Sequence, residues 1–577
     1  MPVIITLSKR NIFNTRMKRL RMGRSKSSSP QEVKKILEKK KMLFAHWDCE
    51  NKQDASYQQW GLSLQILFKE NLLYFSPKKN YFNYGKEEMN RRFLEVVAQE
   101  QPDYVFLLVL YDEFSLETLE MIKKVSPKTI ILNFSGDDDW RFEDFARYYA
   151  LFFDYNISAH RQMPPFYKKE GIEDVSFSCG VNPAHYKPLN LPYAYDVSAI
   201  GRGSDQRANI IRSLLQQGID VHIFGHSWEK YPEFAQVYHG PLEAEDFVKV
   251  INQTKINLCF TKGGYGKPQF KGRLLEIAAC RAFALTEHFS GYFNFFDKKE
   301  IIMFKTEEEM LNQVQYYLSH ELERKHLAAS AYKRVITDYN HEIELLALFK
   351  KILSDQRKDK KNELHLPPLH KKIIHLSRDD LADKELLQEK IQLADYIAFD
   401  ERDALFYPRK DYLQAYALEK SGKQISCCDY YVHDKRLGNC MLFKARHAYE
   451  RLHERDFHQL LHISQLMVTK PYLLKNLEAL RSAVNREGSC ITGKNTVFLS
   501  IPLVEVSQVR GFDYLRMKEA FLYKFLDTLY SLKYQKKLFS SYPLKLLIAS
   551  QKMKFILPSL KDALFDQHKR SKLKKGF

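Results

Sequence analysis

The sequence lacks the paired cysteines and the long apolar runs that mark several classes of protein. Its eight cysteines are scattered along 577 residues, without a CxxC pair or a histidine at zinc-site spacing. This usage favours reduced, mostly buried thiols in a cytosolic protein. No stretch approaches the roughly 20 apolar residues of a bilayer-spanning helix, and Lys9 and Arg10 end the apolar opening before it reaches signal-peptide length. We therefore expect a cytoplasmic protein.

The sequence also lacks a recognisable RNA- or DNA-binding motif, although it is basic. Lys and Arg outnumber Asp and Glu by 90 to 71, but residues 1–41 alone carry thirteen of these cations against two acids, and residues 569–575 form a second basic cluster. The remaining body is mildly basic, which suits phosphates, sugar nucleotides or an anionic membrane surface. We therefore expect no nucleic-acid partner. Peripheral contact with the inner face of an anionic membrane is among the expected interactions.

Length and pattern together predict several domains. A chain of 577 residues exceeds what one hydrophobic core serves, and its apolar content of 45% is ample for several cores. The expected units are a basic disordered arm (1–41), an N-terminal Rossmann-like lobe (42–185), a C-terminal Rossmann-like lobe (186–354), a linker (355–370) and a third region (371–577).

Both predicted lobes alternate strand-sized apolar runs with helix-sized amphipathic runs. The predicted strands are 42–46, 104–110, 129–134, 197–201, 221–225 and 256–260, and the predicted helices are 90–100, 116–124, 208–218, 244–255 and 273–280. Such alternation predicts βαβ units with buried parallel sheets. Ligands of open α/β sheets bind beyond the carboxyl ends of the strands, so we expect two lobes around one cleft.

The segment 267–287 has the residues of a nucleotide diphosphate site. Lys271 and Arg273 lie at the start of a predicted helix that carries Glu276 in its first turn. Cations and free amides at a helix N-terminus can hold a diphosphate, and a nearby carboxylate can accept both ribose hydroxyls. The same residues also suit an ordinary helix start, with the acid complementing the helix dipole and the cations solvated. Spacing alone leaves both interpretations open.

The run from Asp103 to about Phe349 resembles the CgeB-like (spore maturation protein-like) glycosyltransferases, relatives of the large group 1 family with a GT-B fold. The residues that carry the resemblance are PDYVFLLVLYDEFSLETLEMIKK, DDDWRF, DVSAIGRGSDQR, GIDVHIFGHSW and the long run that begins KGRLLEIAACRAFALTEHFSGYF. The resemblance implies an α/β fold with twin GT-B lobes. It also implies sugar transfer from a nucleoside diphosphate sugar to a glycan, glycolipid or protein acceptor, in cell-envelope polysaccharide biosynthesis.

The resemblance further implies roles for individual residues. Those that would contact the donor are Lys271, Arg273 and Glu276, with Gly201, Arg202 and Arg207 along its phosphate end. Cations beside the leaving diphosphate would stabilise its developing charge, so no metal or other cofactor is required. The expected co-substrate is a UDP-, GDP- or dTDP-sugar.

The first lobe is expected to hold the acceptor and a catalytic carboxylate. The candidates at or after predicted strand ends are His46, Asp48, Asp138 and Asp139. We take Asp138 as the catalytic acid or base, alongside Lys271 and Glu276. Strand-end acids are equally typical of turns and caps, so a structural role stays open.

Residues 394–434 of the third region resemble, more distantly, the metal-binding stretch of family 2, GT-A-type glycosyltransferases. Asp400 and Asp403 are spaced as DxxD, where those enzymes carry a closer acidic pair that binds a divalent metal. Too few residues precede them to form a nucleotide-binding half. We therefore expect an incomplete, catalytically silent GT-A-like module with a basic helical tail, and no metal site.

A non-enzymatic interpretation also stays open. The two lobes would then be a degenerate scaffold, with the basic ends and the third region binding an envelope or a partner. The presence of Lys271, Arg273 and Glu276 favours the enzyme.

Overall fold

The computed structural model describes part of the chain. The described residues are 29–54, 56–110, 112–261, 268–355, 366–392, 394–401, 404–407, 409–434, 439–443, 466–477 and 495–506. Lys267, Asp403, the basic cluster at 569–575 and the predicted basic tail lie outside them.

The apolar runs of the first lobe pair as one parallel sheet of six strands in the order β2-β1-β3-β4-β5-β6. The strands are β1 (Met42–His46), β2 (Leu72–Phe75), β3 (Tyr104–Leu108), β4 (Ile130–Ser135), β5 (Tyr155–Ser158) and β6 (Val175–Phe177). The adjacent strands β1 and β3 are buried along their whole length, which is why they read as continuous apolar runs. The strands predicted in this lobe are confirmed to within two residues.

Helices cover both faces of this sheet. They are α1 (Pro30–Leu37), α2 (Leu62–Phe68), α3 (Pro77–Tyr84), α4 (Lys86–Glu100), α5 (Leu116–Val125), α6 (Asp138–Arg141), α7 (Arg147–Tyr149) and α8 (Pro164–Lys169). A π-helical turn, Phe142–Ala146, joins α6 to α7. The helices predicted in this lobe at 90–100 and 116–124 correspond to α4 and α5.

The second lobe contains a parallel sheet of five strands in the order β11-β10-β9-β7-β8. The strands are β7 (Tyr195–Ile200), β8 (Val221–Phe224), β9 (Thr254–Cys259), β10 (Ala284–Glu287) and β11 (Ile302–Phe304). The helices are α9 (Asp205–Gln216), α10 (Ala244–Asn252), α11 (Arg273–Ala279), α12 (Glu307–Ser319) and α13 (Glu321–Asp338). The expected α/β class with two Rossmann-like lobes is thus confirmed.

The next helix, α14 (His341–Ser354), packs on the first lobe, although the sequence assigned it to the second. Its apolar side chains, including Leu345 and Phe349, share one buried cluster with residues of β1 and β3. The chain passes between the lobes twice, near Val181 and near Tyr339. These two crossings lie side by side, because the amide of Val181 donates to the carbonyl of Tyr339 at 2.8 Å. An amphipathic pattern marks a buried helix face but not the sheet that covers it, so the sequence could not assign this helix.

The expected disordered arm is wrong for α1. Ser29 Oγ accepts from the amide of Glu32 at 3.3 Å, and the Glu32 carboxylate accepts from the amide of Ser29, which together form a capping box. Val33 and Leu37 are fully buried in the cluster that contains α14. The high lysine content of residues 34–41 concealed two apolar positions at helical spacing. Residues 1–28 lie outside the described part.

The described strands of the third region form one mixed sheet in the order β12-β13-β17-β15-β18-β14, with β16 paired to β15. The strands are β12 (Ile373–Leu376), β13 (Tyr396–Phe399), β14 (Ala404–Phe406), β15 (Ile425–Asp434), β16 (Asn439–Phe443), β17 (Leu466–Thr469) and β18 (Thr496–Val506). The helices are α15 (Arg378–Ala382), α16 (Lys384–Gln392), α17 (Lys410–Ser421) and α18 (Lys470–Lys475). Within all described ranges, no helix is both long and apolar enough to cross a membrane.

The third region shares a hydrophobic core with the first lobe. One cluster of buried residues contains Val105 and Phe93 of the first lobe together with Phe399, Tyr416 and Val468 of the third region. The sequence predicted a separate module after a linker. Composition can identify a linker, but it does not show on which surface the following chain packs. Its likeness to a GT-A module stays a prediction.

Candidate cleft site

The carboxyl ends of the two parallel sheets face each other. After β5, the ring of His160 lies 6.4 Å from the ring of Phe270, which precedes α11 in the second lobe. After β1, Gln53 Oε1 accepts from the amide of Ala244 at the start of α10, at 3.2 Å. These contacts place the loops that follow the strands of both sheets around one cleft, where ligands of open α/β sheets bind.

Lys271 is a second-lobe cation on which acids of the first lobe act electrostatically. It lies two residues before Arg273, the first residue of α11, and its side chain is half-buried. Burial lowers the pKa of Lys271, and the negative charges of Asp137 and Asp139 oppose that shift. An ammonium between the lobes, partly withdrawn from water, is well placed to contact an anionic ligand in the cleft.

Arg273 and Glu276 form a pair on the first turn of α11. Arg273 Nε lies 3.1 Å from Glu276 Oε2, and the guanidinium lies 4.0 Å from the ring centroid of Phe247. Tyr186 donates to Glu276 Oε1 at 3.4 Å. Within the described residues, Arg273 Nη1 and Glu276 Oε2 are buried atoms that make no hydrogen bond. A donor and an acceptor held side by side in this way match the groups that a ribose or phosphate presents.

The loops after β7 and β8 pack closely at the same edge of the second sheet. Trp228 Nε1 donates to the carbonyl of Gly201 at 2.7 Å. Gly225 has a φ of +121°, and a Cβ atom there would lie 2.3 Å from the Gly201 carbonyl oxygen, so only glycine fits. Arg207 Nη1 donates to the carbonyl of Arg202 at 2.8 Å, while the Arg202 side chain is exposed. Arg207 is half-buried, and this burial lowers its pKa.

The two neighbouring acids after β4 have different surroundings. Asp138, the predicted catalytic residue, is 1% exposed, and its Oδ2 accepts from Tyr167 at 2.9 Å. Burial raises the pKa of Asp138 to about 6. Asp139 Oδ1 lies 3.2 Å from His160 Nε2. Burial raises the pKa of Asp139, while His160 and Lys271 oppose the shift. The structure therefore places Asp138 in a buried contact with Tyr167 and Asp139 beside His160, within the electrostatic influence of Lys271.

The two earlier candidates of the first lobe make contacts within that lobe. His46 is buried, with Nδ1 3.3 Å from the carbonyl oxygen of Leu108. Asp48 pairs with Lys78 Nζ at 2.6 Å. These contacts suit structural roles at the ends of β1 and β2.

Asp400 directly follows β13, and its partner is a histidine. Asp400 Oδ1 is 2.7 Å from Nδ1 of His375, whose Nε2 is 2.8 Å from Asp411 Oδ2. Hydrogen bonds to Asp411 and Asp400 raise the pKa of His375 to about 9, so the three side chains form an ionic link between β12, β13 and α17. Within the described ranges, no group of three or more His, Cys, Asp and Glu side chains is placed to hold a metal ion.

Sequence reasoning missed several residues of the cleft. Glu287, at the end of β10, is buried, and its Oε2 accepts from the amide and the hydroxyl of Thr261 at 3.0 and 2.9 Å. A carboxylate at the end of an apolar strand was the sequence signal that could have identified Glu287 as a candidate. His160 and Tyr186 gave none, because their contacts come from residues distant in the sequence.

Residues 206–347 match the family described as "Glycosyl transferase-like". The matched range runs from α9 into α14, and it contains Arg207, Lys271, Arg273 and Glu276. A search of curated proteins finds no match.

Several solved structures are similar to this chain at low identity. Anabaena Alr3699/HepE in complex with UDP-glucose is 10% identical over 55% of this chain and 99% of that chain, with a TM-score of 0.40. A glycosyltransferase from Rickettsia africae ESF-5 is 12% identical over 55% and 100%, also at 0.40. Sucrose-phosphate synthase from Thermosynechococcus elongatus is 12% identical over 49% and 81%, at 0.35. The two parallel sheets confirm the expected α/β fold class with two Rossmann-like lobes, and the match of residues 206–347 agrees with the glycosyltransferase class expected from the sequence.

Proposed function

We propose that this protein, as a CgeB-like glycosyltransferase, transfers a sugar from a nucleoside diphosphate sugar to a glycan, glycolipid or protein acceptor. The observation that carries the proposal is the position of Lys271. This cation lies at the carboxyl end of the second sheet and is electrostatically coupled to Asp137 and Asp139 of the first lobe. A donor bound on the second lobe would therefore meet the acceptor at these acids.

The second lobe supplies the groups that a nucleoside diphosphate requires. Lys271 and Arg207 would contact the diphosphate, with Arg273, Arg202 and the Gly201 backbone beside it. Glu276 Oε2, which is ion-paired with Arg273 Nε at 3.1 Å and makes no hydrogen bond in the described chain, would accept from the ribose hydroxyls. Negative charge grows on the diphosphate as the glycosidic bond breaks, and fixed cations stabilise that charge. This arrangement works without a metal or other cofactor, with a UDP-, GDP- or dTDP-sugar as the co-substrate.

Asp139 is the carboxylate that we assign to the acceptor side. Its charge acts on Lys271 of the second lobe, whereas Asp138 lies under Tyr167 at 1% exposure. Burial raises the pKa of Asp139, which increases the basicity of the carboxylate that would accept a proton from an acceptor hydroxyl. Asp138 would act indirectly, by anchoring the start of α6 to α8.

The cellular setting is also part of the proposal. The scattered cysteines and the basic clusters at both ends suit a cytoplasmic protein in peripheral contact with an anionic membrane. Cell-envelope polysaccharide biosynthesis would supply acceptors at that surface. Membrane association should then weaken as the salt concentration rises.

Donor binding by the full-length chain tests the proposal most directly. One of the UDP-, GDP- and dTDP-sugars should raise the melting temperature, because a ligand at a hundred times its Kd stabilises a protein by about 2.7 kcal/mol. Lys271→Ala should reduce that shift. Lys249→Ala is the control, since Lys249 pairs with Asp246 on the exposed face of α10. Release of the nucleotide in the presence of acceptor glycans then measures transfer. If no donor shifts the melting temperature or is turned over, the scaffold interpretation takes precedence.

A further inference from the structure

Glu170, which directly follows α8, joins the first lobe to the third region through buried polar contacts. Its Oε1 accepts from Arg147 Nη2 at 2.5 Å, and its Oε2 accepts from the hydroxyl of Tyr416 on α17 at 2.6 Å. The three residues are only 6%, 4% and 1% exposed. Lys420, one turn further along α17, places Nζ 3.7 Å from the same Oε2. A carboxylate so far from water depends on these donors.

The segment that contains Tyr167 and Glu170 is connected at two points to residues 137–149. Residues 137–149, here called the acid segment, run continuously from Asp137 through α6 and the π-helical turn to α7, which begins with Arg147. Glu170 therefore holds the far end of the acid segment. Tyr167, three residues before Glu170, donates to Asp138 at 2.9 Å and holds its near end. The position of Asp139 thus depends on both contacts.

The third region touches the acid segment at further points. Ser500, on β18, donates to Asp144 Oδ2 in the π-helical turn at 2.9 Å. The ring of Tyr416 lies 6.3 Å from the ring of Tyr148 in α7, in an edge-to-face arrangement. Apolar packing alone would join the two regions without fixing a geometry. Buried polar contacts impose defined distances and directions, so the third region constrains where the acid segment lies.

We infer that the third region is a brace for the acceptor side of the cleft and that Tyr416 is a positioning residue for sugar transfer. By binding Glu170, Tyr416 keeps Arg147 and the acid segment in the arrangement that sets Asp139 opposite Lys271. The inference rests on the proposed function of the cleft. It gives the third region a role in transfer that requires no nucleotide or metal site of its own.

Tyr416→Phe removes the hydroxyl that binds Glu170 and keeps the ring. The matched control is Tyr412→Phe, because Tyr412 lies on the same helix and donates to the carbonyl of Pro367, in the segment that leads into the third region, at 2.8 Å. Amide hydrogen exchange of the acid segment should become about tenfold faster in Tyr416→Phe and stay unchanged in Tyr412→Phe. This readout does not depend on activity. Equal exchange in the two variants would overturn the brace.

Kinetics separate positioning from general destabilisation. Tyr416→Phe should lower turnover about fivefold to tenfold and leave the donor KM unchanged, since the donor groups lie in the second lobe. In an Asp139→Asn background the same substitution should have no further effect on turnover, because the residue through which it acts is already lost. An equal loss in both backgrounds would refute the role of Tyr416 as a positioning residue.

Two further outcomes stay distinguishable. If Tyr416→Phe does not fold, Ser500→Ala removes the contact to Asp144 at the edge of the network and should accelerate exchange of the acid segment in the same direction; unchanged exchange would count against the brace. If the wild-type chain transfers no sugar from any donor, the proposed function fails, while faster exchange in Tyr416→Phe alone still supports the brace.

Discussion

Lys271 of the second lobe and Asp139 of the first lobe influence each other across the cleft. The carboxylate of Asp139 opposes the burial that lowers the pKa of Lys271, and the ammonium of Lys271 opposes the burial that raises the pKa of Asp139. Each group is therefore held closer to its charged form by a residue of the other lobe. A sugar nucleotide entering the cleft would lie beside both charges.

Lys271→Ala should depress turnover more than donor affinity. Charge on the leaving diphosphate grows only as the glycosidic bond breaks. Removal of the cation therefore destabilises the transition state more than the bound ground state. We expect kcat to fall on the order of a hundredfold with a small change in donor KM. Steady-state kinetics at a fixed acceptor concentration measure both, with Lys249→Ala as the control. Near-normal transfer by Lys271→Ala would remove this cleft as the active site.

Glu276→Ala should act mainly on donor binding. A ribose contact is present in the ground state and the transition state alike, so its loss raises the donor KM and changes kcat little. The loss of a hydrogen bond to a charged group corresponds to roughly a tenfold to hundredfold rise. Glu245→Ala, at an exposed first-turn acid of α10, is the matched control. A fall in kcat at unchanged KM would contradict the ribose assignment.

Asp139→Asn should cost far more activity than Asp138→Asn. Loss of a positioned general base lowers turnover by about a hundredfold or more, whereas the amide of Asp138→Asn can still accept from Tyr167. The ratio of the two kcat values is the decisive measurement. Equal losses would mean that the two residues act as one unit, and a larger loss in Asp138→Asn would restore the choice made from the sequence.

The difference between Asp138 and Asp139 shows which features of the site could be predicted from the sequence. Consecutive residues on a helix point about 100° apart, so Asp138 turns under Tyr167 while Asp139 turns towards His160. The sequence places both after the same strand and cannot separate them. It did identify β1 and β3, because strands that are buried on both faces are uniformly apolar. The sequence could not show on which lobe α14 packs, because that packing depends on contacts between residues distant in the chain.

Gly180→Ala should destabilise the crossing between the lobes. A Cβ atom there would lie 2.7 Å from Glu344 Oε2, 2.8 Å from the carbonyl oxygen of Tyr339 and 3.0 Å from the Cα of His341. Two of these neighbours are backbone atoms that cannot move aside, and overpacking of this kind costs about 1–3 kcal/mol. Gly272→Ala, where a Cβ atom would meet nothing within 4 Å, should leave the melting temperature unchanged. An unchanged melting temperature in both variants would show that the crossing can relax.

His341 should make the stability of the chain depend on pH. The side chain is fully buried where α14 begins, its Nδ1 is 2.9 Å from the carbonyl oxygen of Gln59, and its ring lies 4.1 Å from the ring of Trp60. Burial lowers the pKa of His341 to about 4, and the hydrogen bond to Gln59 opposes that shift only in part.

As the pH falls, the unfolded chain takes up the proton near pH 6.5, whereas the folded chain resists it until about pH 4. The folded state therefore loses stability across this interval, by up to about 3 kcal/mol. The side chain introduced by His341→Asn cannot titrate. The urea concentration at the unfolding midpoint should therefore fall further for the wild type than for this variant between pH 7 and pH 4.5. The control is His326→Asn, at an exposed position on α13, which should follow wild type. If His341→Asn loses as much stability as wild type over this interval, the buried histidine is not the source of the acid sensitivity.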